Sequence, residues 1–498
     1  MSGLIIGLPV DGRPVVRQQV QALAAAGGWD LRMPERAALG HFRQPADRDA
    51  LADWLLQQAP QAAGLVISID MLVYGGLVPS RFIDDAAARL LERLALLRTL
   101  KQRTTAPIYA FAATMRISNN NVADEEKPYW RTHGEQFWAW SFHSDRHALT
   151  QDSHSADAAK AAEAAIPEAL RADYLATRAR NFSINRALLA LVAEGVIARL
   201  VLPQDDTAAY GFNIAERRAL QAEVAALGLH DRVLIYPGAD EVMHTLCAHL
   251  VAGLRGDAPL RLALSFCDPA HIDGLSARYE DRPLLESLAS QLSAVGAVAV
   301  GPVEPHGKPA DVLLALHSSG TAQGDWAMRL ALPTPTDANA VATWVAALHQ
   351  RAADGLPLAV VDLAYANGGD PVLIDALSAE GLLPRLAGYA GWNTASNSLG
   401  GLLAQLVLAR GAWQRPAHRL NTALRLAEDF LYQAQLRQTL RDGLDEAALT
   451  ADELAAAASA LVVPATDHWL AALGLPGRVA RCHLPWDRTF EIGLELCE

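Results

Sequence analysis

The chain has 498 residues, too many for one ordinary domain of roughly 100–200 residues, and hydrophobic residues make up 51% of it, which excludes global disorder. A formal net charge of −13 opposes phosphate backbones and anionic lipid heads, so neither nucleic acid nor a membrane is an expected partner. The four cysteines (Cys247, Cys267, Cys482 and Cys497) form no CxxC pair, so neither a zinc knuckle nor a disulfide framework is expected.

The first apolar run, residues 4–8, is short, lacks a basic lead and is followed at once by Asp11 and Arg13. It reads as a buried strand and not a signal peptide. Further strands are expected at 65–69, 108–112, 200–202, 233–236, 262–266, 297–300, 312–316, 359–363 and 386–389. They are rich in Val, Ile and Leu without polar alternation, as strands covered on both faces are. Helical spacing at 86–100 and 216–227 fills the gaps between them. The expected fold is therefore α/β, with parallel-sheet Rossmann-like layers; a decorated α/β barrel is the alternative. A segment at about 119–180, with Trp130, Trp138 and Trp140, breaks the alternation and reads as a helical insertion. Three regions are expected: 1–256, an α/β domain carrying that insertion; 257–410, a second α/β domain; and 411–498, mainly helical, with Pro464 and Pro476 as breakers and a short tail from Cys482. No run of 18 uninterrupted apolar residues occurs, and a cytoplasmic location is expected.

Ligands of open α/β sheets bind beyond the carboxyl ends of the strands, so the residues after each strand matter most. There the chain offers Asp11 and Arg13, then Asp70 and Tyr74, then Arg116 and Asn120 with Glu125 and Glu126 beyond. Later strands are followed by Gln204, Asp205 and Asp206, by Asp240 and Glu241, by Asn367 and Asp370, and by Trp392 and Asn393. Singly, Asp11 or Asp70 reads as a helix cap and the Gly-Gly pairs as turns. Seven mixed clusters together point to a binding pocket.

The pairs Asp205-Asp206 and Asp240-Glu241 follow consecutive strands and are the sharpest feature. Two carboxyls across a site let one hold a proton while the other stays ionised, which glycoside hydrolysis requires. The catalytic candidates are therefore Asp205, Asp206, Asp240 and Glu241. Asp11, Arg13, Asp70, Tyr74, Arg116, Asn120, Gln204, Asn367, Asp370, Trp392 and Asn393 are the candidates for binding substrate, the arginines for an anionic group on it. No cofactor is expected; the alternative is a divalent cation such as magnesium or calcium on the same carboxylates. Salt bridges from Arg178 and Arg180 are the purely structural reading of the pairs. No GxSxG elbow, lysine-bearing phosphate loop or GxGxxG after a strand occurs, and His143 with His147 lacks a HExxH context.

LPVDGRP at 8–14, SIDMLVYGGLVPSR at 68–81, RISNNNVADEEKPYW at 116–130 and RARNFSIN at 178–185 form an ordered series of motifs. The series continues with PQDDTAAYG at 203–211, YPGADE at 236–241, YANGGD at 365–370 and GYAGWNTASNSLG at 388–400. With these blocks the chain resembles, up to about residue 440, a bacterial family known as domain of unknown function 4127. Its members are often encoded near sugar-uptake and glycan-degrading genes, so the resemblance implies a carbohydrate role and supplies no catalytic residues. The expected function is a carbohydrate-active hydrolase, a glycosidase cleaving a small imported sugar derivative. The alternatives are a metal-dependent hydrolase or lyase and a non-catalytic sugar-binding or regulatory protein.

Overall fold

The computed structural model describes residues 3–301, 309–353 and 355–498. Contacts divide them into two units that interleave along the chain. The first holds the residues up to Gly12, Asp30–Met243 and Tyr279–Asp281; the second holds Arg13–Trp29, His244–Arg278 and Arg282–Glu498.

Six parallel strands form the sheet of the first unit: β1 (Leu4–Leu8), β2 (Asp30–Arg32), β3 (Gly64–Ser68), β4 (Ile108–Phe111), β5 (Arg199–Val201) and β6 (Val233–Leu234), in the order β2-β1-β3-β4-β5-β6. Ile6, Leu65, Ile67, Ile108 and Leu200 share one core cluster with Leu55, Leu97, Leu188 and Leu220 from the covering helices. Burial by helices is what makes these strands continuous apolar runs. Beyond β4 come the helices Trp130–Thr150, Ser153–Ala164 and Glu168–Ala193. They build a small core of their own, in which Trp130 stacks on Phe137 with ring centroids 5.2 Å apart.

The second unit contains β7 (Leu260–Phe266), β8 (Ala297–Val300), β9 (Val312–His317), β10 (Gly324–Asp325), β11 (Leu358–Asp362), β12 (Tyr365–Ala366), β13 (Gly388–Ala390), β14 (Arg478–His483) and β15 (Gly493–Cys497). Five of them form a parallel sheet in the order β13-β11-β9-β7-β8, and β10 pairs with β12. Two open sheets with separate edges replace the barrel alternative. The tail after Cys482, expected to be a short appendage, instead supplies β15, which pairs antiparallel with β14. Helix Ala451–Ala472 runs through Pro464, contrary to the expected break. Pro464 faces solvent, where water can satisfy the carbonyl it leaves unbonded, and the buried stripe Leu454, Ala458, Val462, Thr466 and Leu470 anchors the helix on both sides of it. By length and composition this helix could cross a bilayer. Leu454, Ala458 and Val462 of its stripe, however, share a core cluster with Tyr432, Leu484 and Leu494.

Gly75 closes the turn after β3 at φ 84°, and a Cβ there would lie 2.8 Å from the Pro45 Cβ and 2.9 Å from the Ala46 nitrogen. Gly75→Ala is therefore expected to destabilise the protein by about 1–3 kcal/mol, read from its urea-denaturation midpoint. A midpoint equal to wild type would show that this turn tolerates a side chain.

Candidate functional site

The hydrogen-bond ladder of the first sheet continues past its strand ends. Ala113 donates its N–H to Asp70 Oδ2 at 2.9 Å, tying the end of β3 to the end of β4. Gln204 links three strand ends: it bridges to Thr114 on one side and Pro237 on the other, and its side-chain amide donates to Thr114 Oγ1 at 2.9 Å. Residues 70, 113–116, 204–206 and 237–241 are thus fixed as neighbouring turns along one sheet edge.

Two arginines fill this edge. The Arg116 guanidinium meets Glu126 at 2.9 Å, Asp206 at 3.0 Å and Glu125 at 3.1 Å. Arg81, almost wholly buried, meets Asp205 at 3.1 Å and Glu126 at 3.4 Å, and donates to the Glu125 carbonyl at 2.9 Å. Four carboxyls thus share two guanidinium groups in a poorly solvated place. That imbalance favours retaining a proton. Burial pushes Asp206 up to about 7, with Arg116 opposing and the Asp205 charge assisting. Burial also raises Asp205, against the pull of Arg116 and Arg81. Asp206 is the most open member, its side chain 30% exposed, and its backbone is left-handed at φ 32°. A non-glycine residue held in that conformation is strained, and such strain gathers at functional sites.

Asp70 is not a helix cap. Its carboxyl crosses to the Ala113 amide, and burial raises it to about 7. Tyr74 is buried in the same turn with its hydroxyl unpaired. Asp240 is buried in the neighbouring turn, and its charge bears on Asp205. Glu241 folds back on its own turn, accepting the Ala239 N–H at 2.9 Å. Asn120 likewise serves a local turn, accepting from Val122 at 2.9 Å. Arg178 is not the partner of the aspartates: it pairs with Glu216 at 2.6 Å. Arg180 donates to the carbonyls of Ser80 and Ile83. Arg116, proposed from sequence to receive a substrate anion, has carboxylates of its own chain.

The other candidates divide at the unit boundary. Asp11 is buried in the turn after β1, in the first unit. Arg13 belongs to the second, where it lies 3.5 Å from Glu491 and 4.4 Å above the Trp486 ring. Asn367, Asp370, Trp392 and Asn393 are also in the second unit. Asn367 and Asn393 are both left-handed, at φ 57° and 63°, and the Asn367 N–H bonds the Asn393 carbonyl at 3.0 Å. Asp370 caps the helix Pro371–Ala379 and also accepts from His317 Nε2 at 3.0 Å and Thr336 Oγ1 at 2.6 Å. Trp392 lines a small pocket with Gln19, Arg425, Glu428, Asp429 and Glu491, and its indole N–H is buried without a partner.

Sequence reasoning missed Arg81, His317, Asp362, Arg425, Glu428 and Asp429 as site-forming residues. Asp362 closes an apolar strand as Asp70 nearly does, and Arg425 precedes Glu428 and Asp429 at helical spacing, so both signals were present. Among the described residues no group of three or more His, Cys, Asp or Glu side chains is set to hold a metal ion.

The fold is thus that of a two-unit α/β protein with polar clusters at the carboxyl edges of its parallel sheets. The family model described as "Protein of unknown function (DUF4127)" matches residues 5–495, and the chain belongs to that family. No curated protein matches the chain.

Asp70 carries a pH prediction. Its folded-state pKa, about 7, lies above the ordinary 3.8, so the stability tied to its proton is fully present below about pH 4 and is lost as pH rises through 7. Asp70→Asn, which keeps the acceptor for Ala113, should flatten the fall in melting temperature between pH 4 and pH 8. An unchanged slope by calorimetry would mean that Asp70 is ionised in the folded protein throughout that range.

Proposed function

We propose that the protein is a cytoplasmic, cofactor-independent carbohydrate-active hydrolase that cleaves a small sugar derivative at the carboxyl edge of the first sheet. Asp206 is the proton donor to the leaving oxygen, and Asp240, from the adjacent turn, is the ionised partner that acts as nucleophile or activates water. Asp205, held by Arg81, adds negative charge that favours an oxocarbenium-like transition state. The observation that carries this reading is Asp206: a carboxyl open to solvent on one side, tied to Arg116 and keeping its proton to about pH 7. A general acid is most effective with a pKa near the working pH. Asn120 and Gln204 supply amides near the same edge, where they already bond within the chain, Asn120 to the Val122 N–H and Gln204 to Thr114.

Turnover of a panel of nitrophenyl glycosides is the direct test. Asp206→Asn should lower kcat by roughly 10²–10⁴, least for substrates with good leaving groups, and wild-type kcat should fall as pH rises past about 7. Treatment with EDTA should leave turnover unchanged; a loss restored by magnesium or calcium would instead establish the metal-dependent reading. Binding of sugars without turnover of any glycoside would establish a sugar-binding protein.

A further inference from the structure

The carboxyl edge of the second sheet holds a different chemistry. β9 is its middle strand, with β7 and β11 on either side. Leu316 pairs with Phe266, and the Cys267 N–H bonds the Leu316 carbonyl at 3.0 Å, so the next position sets Cys267 beside His317. On the other side His317 pairs in register with Asp362. Side chains at matched positions of parallel strands project from the same face. Cys267, His317 and Asp362 therefore stand in a row.

The His317 ring is fully buried and lies beneath Trp344, with ring centroids 6.3 Å apart. Its Nε2 faces Asp370 at 3.0 Å, which Thr336 also contacts, leaving Nδ1 for the other side of the ring, where no hydrogen bond of good geometry fills it. Asp362 is engaged elsewhere, accepting the Asp370 N–H at 2.7 Å and the Tyr389 hydroxyl at 3.3 Å through Oδ2. Burial alone would lower the ring; the Asp370 hydrogen bond, the Cys267 thiol and the Asp362 charge outweigh it and lift His317 to about 10. Cys267 itself is only partly buried, as are the β7 residues Leu264, Ser265 and Phe266 before it.

We propose that Cys267, His317 and Asp370 form a nucleophilic thiol site at this edge, open to small electrophiles with an attackable carbon, such as acyl or alkyl donors. Asp370 orients the ring through Nε2 and keeps it protonated, and the imidazolium, presented to the sulfur through Nδ1, favours the thiolate form of Cys267, whose proton goes to water. With an alkyl halide the thiolate sulfur forms a bond to carbon as the carbon–halogen bond breaks and halide leaves with the electron pair; the thiol proton has already passed to water and the ring keeps its own. The chemistry is separate from the carboxylate reaction proposed for the first unit.

Iodoacetamide labelling of the intact folded protein at pH 7, followed cysteine by cysteine by peptide mass spectrometry, tests it. Cys482 and Cys497, also partly buried, are internal references. Cys267 should react at least tenfold faster than either, and His317→Asn should bring it to within about twofold of them. In wild type alone, the Cys267 rate should stay nearly flat from pH 8 down to pH 6, where an ordinary thiol of pKa about 8.5 slows about tenfold per pH unit. That profile decides the matter even if the His317 variant fails to fold. Cys267 labelling no faster than the references, an ordinary thiol profile, or an unchanged rate in a folded His317→Asn protein would overturn the proposal.

Discussion

Burying carboxyl groups without enough counter-charge is the constraint on which the first unit turns. Arg81 and Arg116 must serve Glu125, Glu126, Asp205 and Asp206, and neither guanidinium is free to leave, because removing a buried ion's partner is strongly unfavourable. Protons resolve the excess. The same arithmetic makes Asp206 a titratable group near neutrality, whereas a lone surface aspartate titrates near 4. The arginines therefore set the protonation of the edge; nothing in their bonding requires them to grip a substrate.

The second unit reaches its polar edge by another route. There a buried imidazole is held by Asp370, the helix-capping residue, while Asp362 binds the backbone of the same turn. One carboxylate thus fixes a ring and a helix at once. Gly369 sits where a side chain would collide with the Tyr389 hydroxyl and approach Asp362 at 3.0 Å, so the YANGGD turn is glycine-rich for reasons of space. Nearby, Asp429 accepts the Gly391 N–H and pairs with Arg425, joining the end of β13 to the π-helical segment Leu426–Leu436. π-Helical turns often mark functional positions.

Interleaving of the units also has a local cause. Helix Gln18–Ala26 lies in sequence between β1 and β2, yet it belongs to the second unit and contacts helices Ala395–Leu408 and Pro416–Arg425. Gln19 bonds Glu428 at 2.5 Å and Arg425 at 2.5 Å, so polar contacts reinforce its apolar ones. A linear reading assigns such a helix to the strands that flank it, because spacing along the chain carries no information about which sheet a helix covers.

By itself the sequence determined the α/β class, ten of the eleven strands described in the two main parallel sheets to within about two residues at each end (β2, three residues long, was missed), and the turns where chemistry gathers. Those features depend on local hydrophobic runs and on polar residues placed directly after them, which spacing reveals. It could not determine the partners. That Asp205 and Asp206 answer to Arg81 and Arg116 and not to Arg178 and Arg180, or that His317 stands between Cys267 and Asp362, follows from strand order and register across segments far apart in the chain. Pro464 and the β14–β15 pair failed for the same reason: a solvent-facing proline inside an anchored helix, and strands of mixed polarity at the chain's end, take their structure from neighbours. Only tertiary structure decides which charges share a desolvated space, and that sharing sets which of them keeps its proton.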